Sequence, residues 1–83
     1  MIDSAVKLLR YFGIKTTIED DKFNVIDNSG LVNVECVRAL KYLAEGYTAK
    51  GQPEVASSIT ATAKIWFRII TGADVGSEAF LFL

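Results

Sequence analysis

The only proline of the sequence, Pro53, is the feature that most restricts how this chain can fold. Proline is harmless at the first position of a helix, because the N–H that it lacks would have no partner there, but it breaks a helix interior. Glu54 beside it is favourable near the positive end of the helix dipole. Gly51, two residues earlier, is typical of the end of a preceding helix. The stretch "KGQP" therefore predicts the connection of an antiparallel helical hairpin.

The apolar spacing on either side of this connection agrees with two helices. Asn33 is a good N-cap residue for a helix over 34–50, and Gly72 is a good stop for a helix over 53–71. The apolar residues of the first of these helices occupy one arc: Cys36, Val37, Leu40, Leu43, Ala44 and Tyr47. Those of the second cover roughly 200°, about twice the stripe of a helix that packs on one neighbour. We therefore expect the helix over 53–71 to be central in the fold or to meet another subunit.

The N-terminal third of the chain predicts a helix followed by a β-hairpin. A helix over 3–12 has Asp3 as its N-cap and Gly13 as its stop. Apolar and polar residues then alternate over 14–26, which is typical of two strands with a turn at Asp20-Asp21. An Asp-Asp pair is a poorer tight-turn signal than Asn-Gly, which favours a loop longer than two residues. The residues "DNSG", 27–30, predict a second turn.

The last five residues, "AFLFL" at 79–83, are apolar on both faces of a strand. This pattern is typical of a strand that is buried on both sides. We expect it to pair with an edge of the hairpin, in its own subunit or in a neighbouring one. The sequence therefore predicts one α+β domain over 1–83, in the order helix, β-hairpin, helix, helix and short C-terminal strand.

The size of the chain favours a partner. Domains of this length bury only about 60% of the surface of the unfolded chain and need a very good core, a staple or an oligomer. The 83 residues are 51% hydrophobic and include one cysteine and no histidine, so neither an internal disulfide nor a histidine-based zinc site can form. We predict a homo-oligomer, with a dimer favoured.

Because "MIDSAVKLLR" lacks the basic start of a signal peptide and no apolar run approaches about 20 residues, we expect a cytoplasmic protein without a membrane partner.

The residues available for catalysis are few. Without histidine, no Ser-His or Cys-His nucleophile can be built. Cys36 lies on the apolar arc of its helix, which favours a small buried core residue over a reactive thiol. The acidic run over 19–21 lacks the alternation of a calcium loop, and no glycine-rich phosphate loop is present. We therefore predict no catalytic residues, no metal, no cofactor and no enzymatic activity.

The sequence points instead to recognition between protein surfaces. We predict a small, non-enzymatic interaction or accessory protein that associates with itself and can bind another protein. Its contact would combine the wide apolar face of the helix over 53–71 with the final strand. The residues expected at the protein interface are Ile65, Trp66, Ile69, Phe80 and Phe82.

The alternative is a regulator that binds nucleic acid. The stretch "LAEGYTAK", residues 43–50, is similar to the segment that leads into the helix-turn-helix of LuxR-type transcription regulators. The resemblance implies DNA binding, with Lys64 in register with the recognition helix. It also places Pro53 inside the first helix of that motif, where proline costs about 3 kcal/mol, and Ser58 at an apolar position of the interhelical turn. The residues that would contact nucleic acid are Lys7, Arg10, Lys15, Lys64 and Arg68.

The charge of the chain bears on this choice. The net charge is −1, with lysine and arginine spread along the sequence. Nucleic-acid modules normally carry a basic stripe, so the charge favours a protein partner and makes nucleic acid the second interpretation.

Overall fold

The computed structural model describes residues 2–28, 30 and 32–72 of the chain. In chain order its elements are helix α1 (Ile2–Tyr11), strands β1 (Ile14–Glu19) and β2 (Lys22–Asn28), and helices α2 (Val34–Ala49) and α3 (Pro53–Thr71). The predicted α+β fold and the order helix, hairpin, helix, helix are confirmed. The predicted strand over 79–83 lies outside the described residues.

Local capping fixes the ends of the helices. The Asn33 side chain accepts a hydrogen bond from the Cys36 N–H at 3.1 Å, which satisfies one free donor at the start of α2. Gly51 and Gly72 follow α2 and α3 with φ of 83° and 71°, a left-handed conformation that glycine adopts without strain. Helices α1 and α2 each end one residue earlier than predicted, and α1 already includes Ile2. Asp3 therefore lies in the first turn, where its charge still suits the helix dipole.

The hairpin turn is tighter than the sequence predicts. Glu19 pairs with Lys22, so the loop has only Asp20 and Asp21, whose φ values are 51° and 62°. Positive φ at both central residues is the signature of the type I′ turn, whose twist matches that of the flanking strands. Aspartate tolerates this conformation better than most residues, which is why the short turn forms without glycine.

Strand β2 also continues further than predicted, and it does so through a bulge. Thr16 pairs with Val25, whereas the preceding Lys15 pairs with Asp27, so Ile26 is the extra residue on β2. This explains why the alternation of the sequence breaks at Ile26. The cross-strand pairing extends β2 through the first half of the predicted 27–30 turn.

Helix α2 is the centre of the fold. It packs against α1 on one side and α3 on the other, while β1 contacts α1 and β2 contacts α3. The largest core side chains come from all of these elements, for example Leu9 of α1, Ile14 of β1, Leu40 of α2 and Ile59 of α3. The hairpin buries Phe23 in the same core and leaves most of its other face in solvent.

Candidate interaction surface on helix α3

Two large apolar side chains on α3 are exposed on the same side of the helix. Ile65 is 59% exposed and Ile69, one turn further along, is 75% exposed. Their neighbours Trp66 and Ile70 are half-buried and pack against the core. Ala63 and Phe67 are buried on the inner side and hold this part of the helix in place. The two isoleucines are therefore presented by a segment that is well anchored.

The exposed isoleucines continue a stripe whose first residue, Ser58, contacts the hairpin. Ser58, Thr62, Ile65 and Ile69 are spaced by four, three and four residues, so they lie along one side of α3. We call these four residues the α3 stripe. The Ser58 hydroxyl accepts a hydrogen bond from the Phe23 N–H of β2 at 2.9 Å. Ser58 and Thr62 are half-buried, whereas Ile65 and Ile69 are exposed.

The structure thus places three of the five predicted interface residues on one turn of α3. Ile65 and Ile69 are at the surface, and Trp66 lies between them and the core. The other two, Phe80 and Phe82, lie outside the described residues.

The five cations of the alternative interpretation are all exposed but lie on different elements. Lys7 and Arg10 are on α1 and Lys15 is on β1, while Lys64 and Arg68 are on α3. Helix α1 packs on α2 and β1, whereas α3 packs on α2 and β2. Lys15 is also opposite Asp27 across the hairpin, which reduces its local positive charge.

The segment that resembles a LuxR-type regulator does not form a helix-turn-helix. Helix α2 runs through Gly46 to Ala49 before the chain turns, and Pro53 is the first residue of α3. Ser58, which the similarity places in the interhelical turn, lies inside the continuous helix α3. The implied arrangement is therefore wrong, because proline starts a helix where the motif needs a helix interior.

Cys36 is a core residue. It is completely buried in the first turn of α2. Burial raises the pKa of its thiol, the nearby Glu35 carboxylate acts in the same direction, and a hydrogen bond from the Asn33 backbone only partly opposes them. A thiol with a raised pKa stays protonated at neutral pH and is a poor nucleophile. The expectation of a small buried residue is confirmed.

The open groove between α2 and α3 offers little chemistry. Thr48 and Thr60 line it, and their hydroxyls donate to the carbonyl oxygens of Ala44 and Ala56 at 3.0 and 2.9 Å. Four further residues of α2 line the groove: Lys41, Ala44, Glu45 and Ala49. Within residues 2–72, as far as they are described, no three acidic, cysteine or histidine side chains are grouped to hold a metal ion. No helix in the same part of the chain is long and apolar enough to cross a membrane.

Sequence reasoning missed the role of Ser58. In the linear pattern Ser58 is one of several small polar residues on α3, and Ser57 before it looks equivalent. Only the packing of β2 against α3 brings the Phe23 N–H to its hydroxyl, across 35 positions of sequence. No signal in the sequence distinguishes the two serines.

No protein-family profile, curated protein or solved structure matches this chain.

Proposed function

We propose that this protein is a non-enzymatic interaction protein that associates with itself through α3. The contact consists of Ile65, Trp66 and Ile69 together with Phe80 and Phe82. The observation that supports this most directly is the exposure of Ile65 and Ile69, 59% and 75%, on a helix whose other side is held in the core.

The energetics favour a partner that covers these side chains. Full burial of an isoleucine side chain contributes about 1.5–3 kcal/mol relative to leaving it in water. A two-fold symmetric contact uses the same surface of both copies, so each exposed isoleucine contributes twice. The side chains are presented on a helix that is already ordered, which keeps the entropic cost of the contact low.

The oligomeric state of the full chain tests this proposal. Light scattering behind size exclusion is measured over a wide range of concentration for the wild type and for the double variant Ile65→Lys/Ile69→Lys. We expect a dimer for the wild type and a monomer for the variant, because a lysine ammonium cannot be buried without a partner. Stopping the chain after Ser77 is expected to weaken the dimer in the same direction, since it removes both phenylalanines.

Ile26→Lys is the matched control. Ile26 is 64% exposed, but it lies on the hairpin bulge and not on α3. It should leave the dimer intact. A wild type that is monomeric at every concentration contradicts the proposal, as does an Ile26→Lys variant that dissociates as readily as the α3 variant.

Binding of nucleic acid through Lys7, Arg10, Lys15, Lys64 and Arg68 stays a prediction of the sequence. Its signature would be an affinity for DNA or RNA that falls steeply with salt, because each phosphate contact releases counterions. If the protein leaves the electrophoretic mobility of mixed DNA unchanged at low salt, the prediction of nucleic-acid binding is wrong.

A further inference from the structure

Strand β1 has an open hydrogen-bonding edge. The hairpin is a two-stranded sheet, and α3 packs against β2 and is bonded to it through Ser58. In the part of the chain that the structure describes, α1 contacts β1, but no element other than β2 exchanges a backbone hydrogen bond with it. An unpaired strand edge is a template on which another strand can pair.

The register of the hairpin shows which backbone groups of β1 point outwards. The Phe23 N–H points away from β1, because it donates to Ser58 on α3. Along an antiparallel pair, opposite residues alternately exchange hydrogen bonds with each other and direct their N–H and C=O groups away. Ile18 is opposite Phe23, so its N–H and C=O groups point outwards, and so do those of Thr16 two residues earlier. The open edge therefore presents two donors and two acceptors.

The side chains along this edge are complementary to a second copy of themselves. Lys15 and Glu19 are both exposed, two residues before and two residues after Thr17. If two β1 strands pair antiparallel about Thr17, Lys15 of each copy is opposite Glu19 of the other. Opposite charges and pairs of threonines stabilise a sheet when they lie directly across from each other. Thr16 is then opposite Ile18, so the same register also forms four backbone hydrogen bonds.

The edge carries none of the usual features that prevent such pairing. Strand edges are commonly protected by proline, by a bulge or by repelling charges. Strand β1 contains no proline, and the bulge of the hairpin is on β2 at Ile26. The charges of β1 are of both signs and symmetric about its centre, so they attract a copy of the strand where charges of one sign would repel it.

We propose that β1 pairs with β1 of a second copy, antiparallel and centred on Thr17, so that two hairpins form one four-stranded sheet. This goes beyond the proposed function because it uses a second surface: α3 contacts β2, and β1 is on the other side of β2. A short pair of strands is only marginally stable by itself. The contact therefore needs a higher protein concentration than association through α3, and it joins dimers that have already formed.

Disulfide formation between copies tests the register. Thr17→Cys is oxidised in a glutathione buffer over a range of protein concentrations, and the linked dimer is quantified by mass after alkylation. In the proposed sheet the two Cα atoms at position 17 are about 4.5 Å apart, which a disulfide can bridge. Asn24→Cys is the matched control, because Asn24 is opposite Thr17 on β2 but three strand spacings from its own copy, about 14 Å. Cys36 is completely buried and should not compete.

We expect at least about tenfold more linked dimer from Thr17→Cys than from Asn24→Cys at equal concentration, because only the first pair is within disulfide distance. Equal yields overturn the proposal. A linked dimer that forms only when the chain is stopped after Ser77 also overturns it, since the residues beyond Ser77 would then occupy the edge.

Charge variants test whether the partner is a second copy in this register. Lys15→Glu and Glu19→Lys are each combined with Thr17→Cys, one protein is isotopically labelled, and the two are oxidised alone and as an equal mixture. Each variant by itself places like charges opposite each other, whereas the mixed dimer restores both opposite-charge pairs. The mixed product should therefore exceed the two single products together at least about threefold.

Effects of these substitutions within the hairpin cancel, because each chain has the same hairpin in the single and in the mixed products. A mixed product at its statistical share of about one half overturns the charge-paired register.

The outcome is separate from association through α3. The Ile65→Lys/Ile69→Lys background should show the same preference for Thr17→Cys over Asn24→Cys, since neither isoleucine is on the hairpin. Selective linkage in a chain whose α3 variant leaves the oligomeric state unchanged supports this proposal and contradicts association through α3. Equal linkage of the two cysteine variants in a chain that dimerises through α3 contradicts this proposal alone.

Discussion

At the scale of single residues, one hydroxyl joins the hairpin to the helical part of the molecule. The Phe23 N–H points away from β1 and donates to Ser58 on α3. Phe23 itself is buried and Ser58 is half-buried, so water would only partly replace the serine as the partner of this donor. The bond thus joins β2 to the first residue of the α3 stripe.

Ser58→Ala is expected to destabilise the protein by about 1 kcal/mol, the cost of losing the partner of a partly buried donor. Ser57→Ala is the matched control, because Ser57 is exposed and both changes alter the helix propensity equally. The control should stay within about 0.5 kcal/mol of the wild type. The free energy of unfolding from urea titration measures both. Equal values for the two variants would show that the Phe23 bond contributes nothing.

Cys36 gives the protein a specific dependence on alkaline pH. Because burial raises the pKa of the folded thiol above its ordinary value of 9.0, the unfolded chain loses its proton first. The contribution of the neutral thiol to stability is fully present below pH 9 and is lost as pH rises through the raised pKa of the folded protein.

The variant Cys36→Ala removes this dependence. It should be less stable than the wild type at pH 7, because removing the buried sulfur leaves a cavity. The difference in unfolding free energy between the two proteins should narrow as pH rises above 9. Other titrating groups are common to both proteins and cancel in the comparison. Unfolding titrations at several pH values provide the measurement, and a difference that stays constant up to pH 10.5 would contradict the expectation.

At the scale of elements, the hairpin is held in register from both ends. The two-residue turn sets the pairing of Glu19 with Lys22. Beyond Thr16 and Val25, the bulge at Ile26 shifts the register of the two strands by one residue. This shift allows Ile14 on β1 to enter the core while Asn28 opposite it stays exposed. The turn is destabilised by the positive φ of Asp20 and Asp21 and by repulsion between their carboxylates.

Replacing the turn by Asp20→Asn/Asp21→Gly should stabilise the protein by about 1 kcal/mol, because Asn-Gly is the preferred pair for a type I′ turn. The variant Asp20→Ala/Asp21→Ala removes the same two charges but disfavours positive φ, so it should destabilise by a similar amount. Thermal unfolding measures both. Stabilisation by both variants would mean that charge repulsion, and not backbone conformation, dominates the turn.

At the scale of the whole molecule, the way α1 crosses α2 depends on one glycine. A Cβ atom added to Gly46 would lie 2.6 Å from Cγ1 of Ile2, and its other close contacts also belong to Ile2. Glycine inside a helix costs about 1 kcal/mol relative to alanine. The close approach of α1 is the physical reason for a glycine at this place.

The effect of Gly46→Ala should therefore change sign with the residue at position 2. In the wild type the overlap should outweigh the gain in helix propensity and destabilise by about 1 kcal/mol. In an Ile2→Ala background the overlap is gone, and the same change should stabilise by about 1 kcal/mol. A double-mutant cycle in urea tests this. The same sign in both backgrounds would show that α1 shifts at little cost.

Much of the secondary structure could be predicted because its signals are local. Asn33 caps α2 and Pro53 begins α3 as predicted, since these residues act on their own turn of helix. The length of the hairpin loop was predicted wrongly. Aspartate can adopt positive φ but does not require it, so the Asp-Asp pair does not by itself indicate a two-residue turn. The bulge was missed as well, since an extra residue on one strand is defined only by its partner strand.

The sequence by itself determined where α2 and α3 begin, which side of α3 is apolar and which chemistries are absent for lack of histidine. Only the tertiary structure decided which part of that side is covered. Ile59 and Ile65 are the same residue type on the same apolar arc, yet the first is completely buried and the second is 59% exposed. The reason is that exposure depends on which neighbouring elements pack against a residue, and those neighbours are distant in the chain.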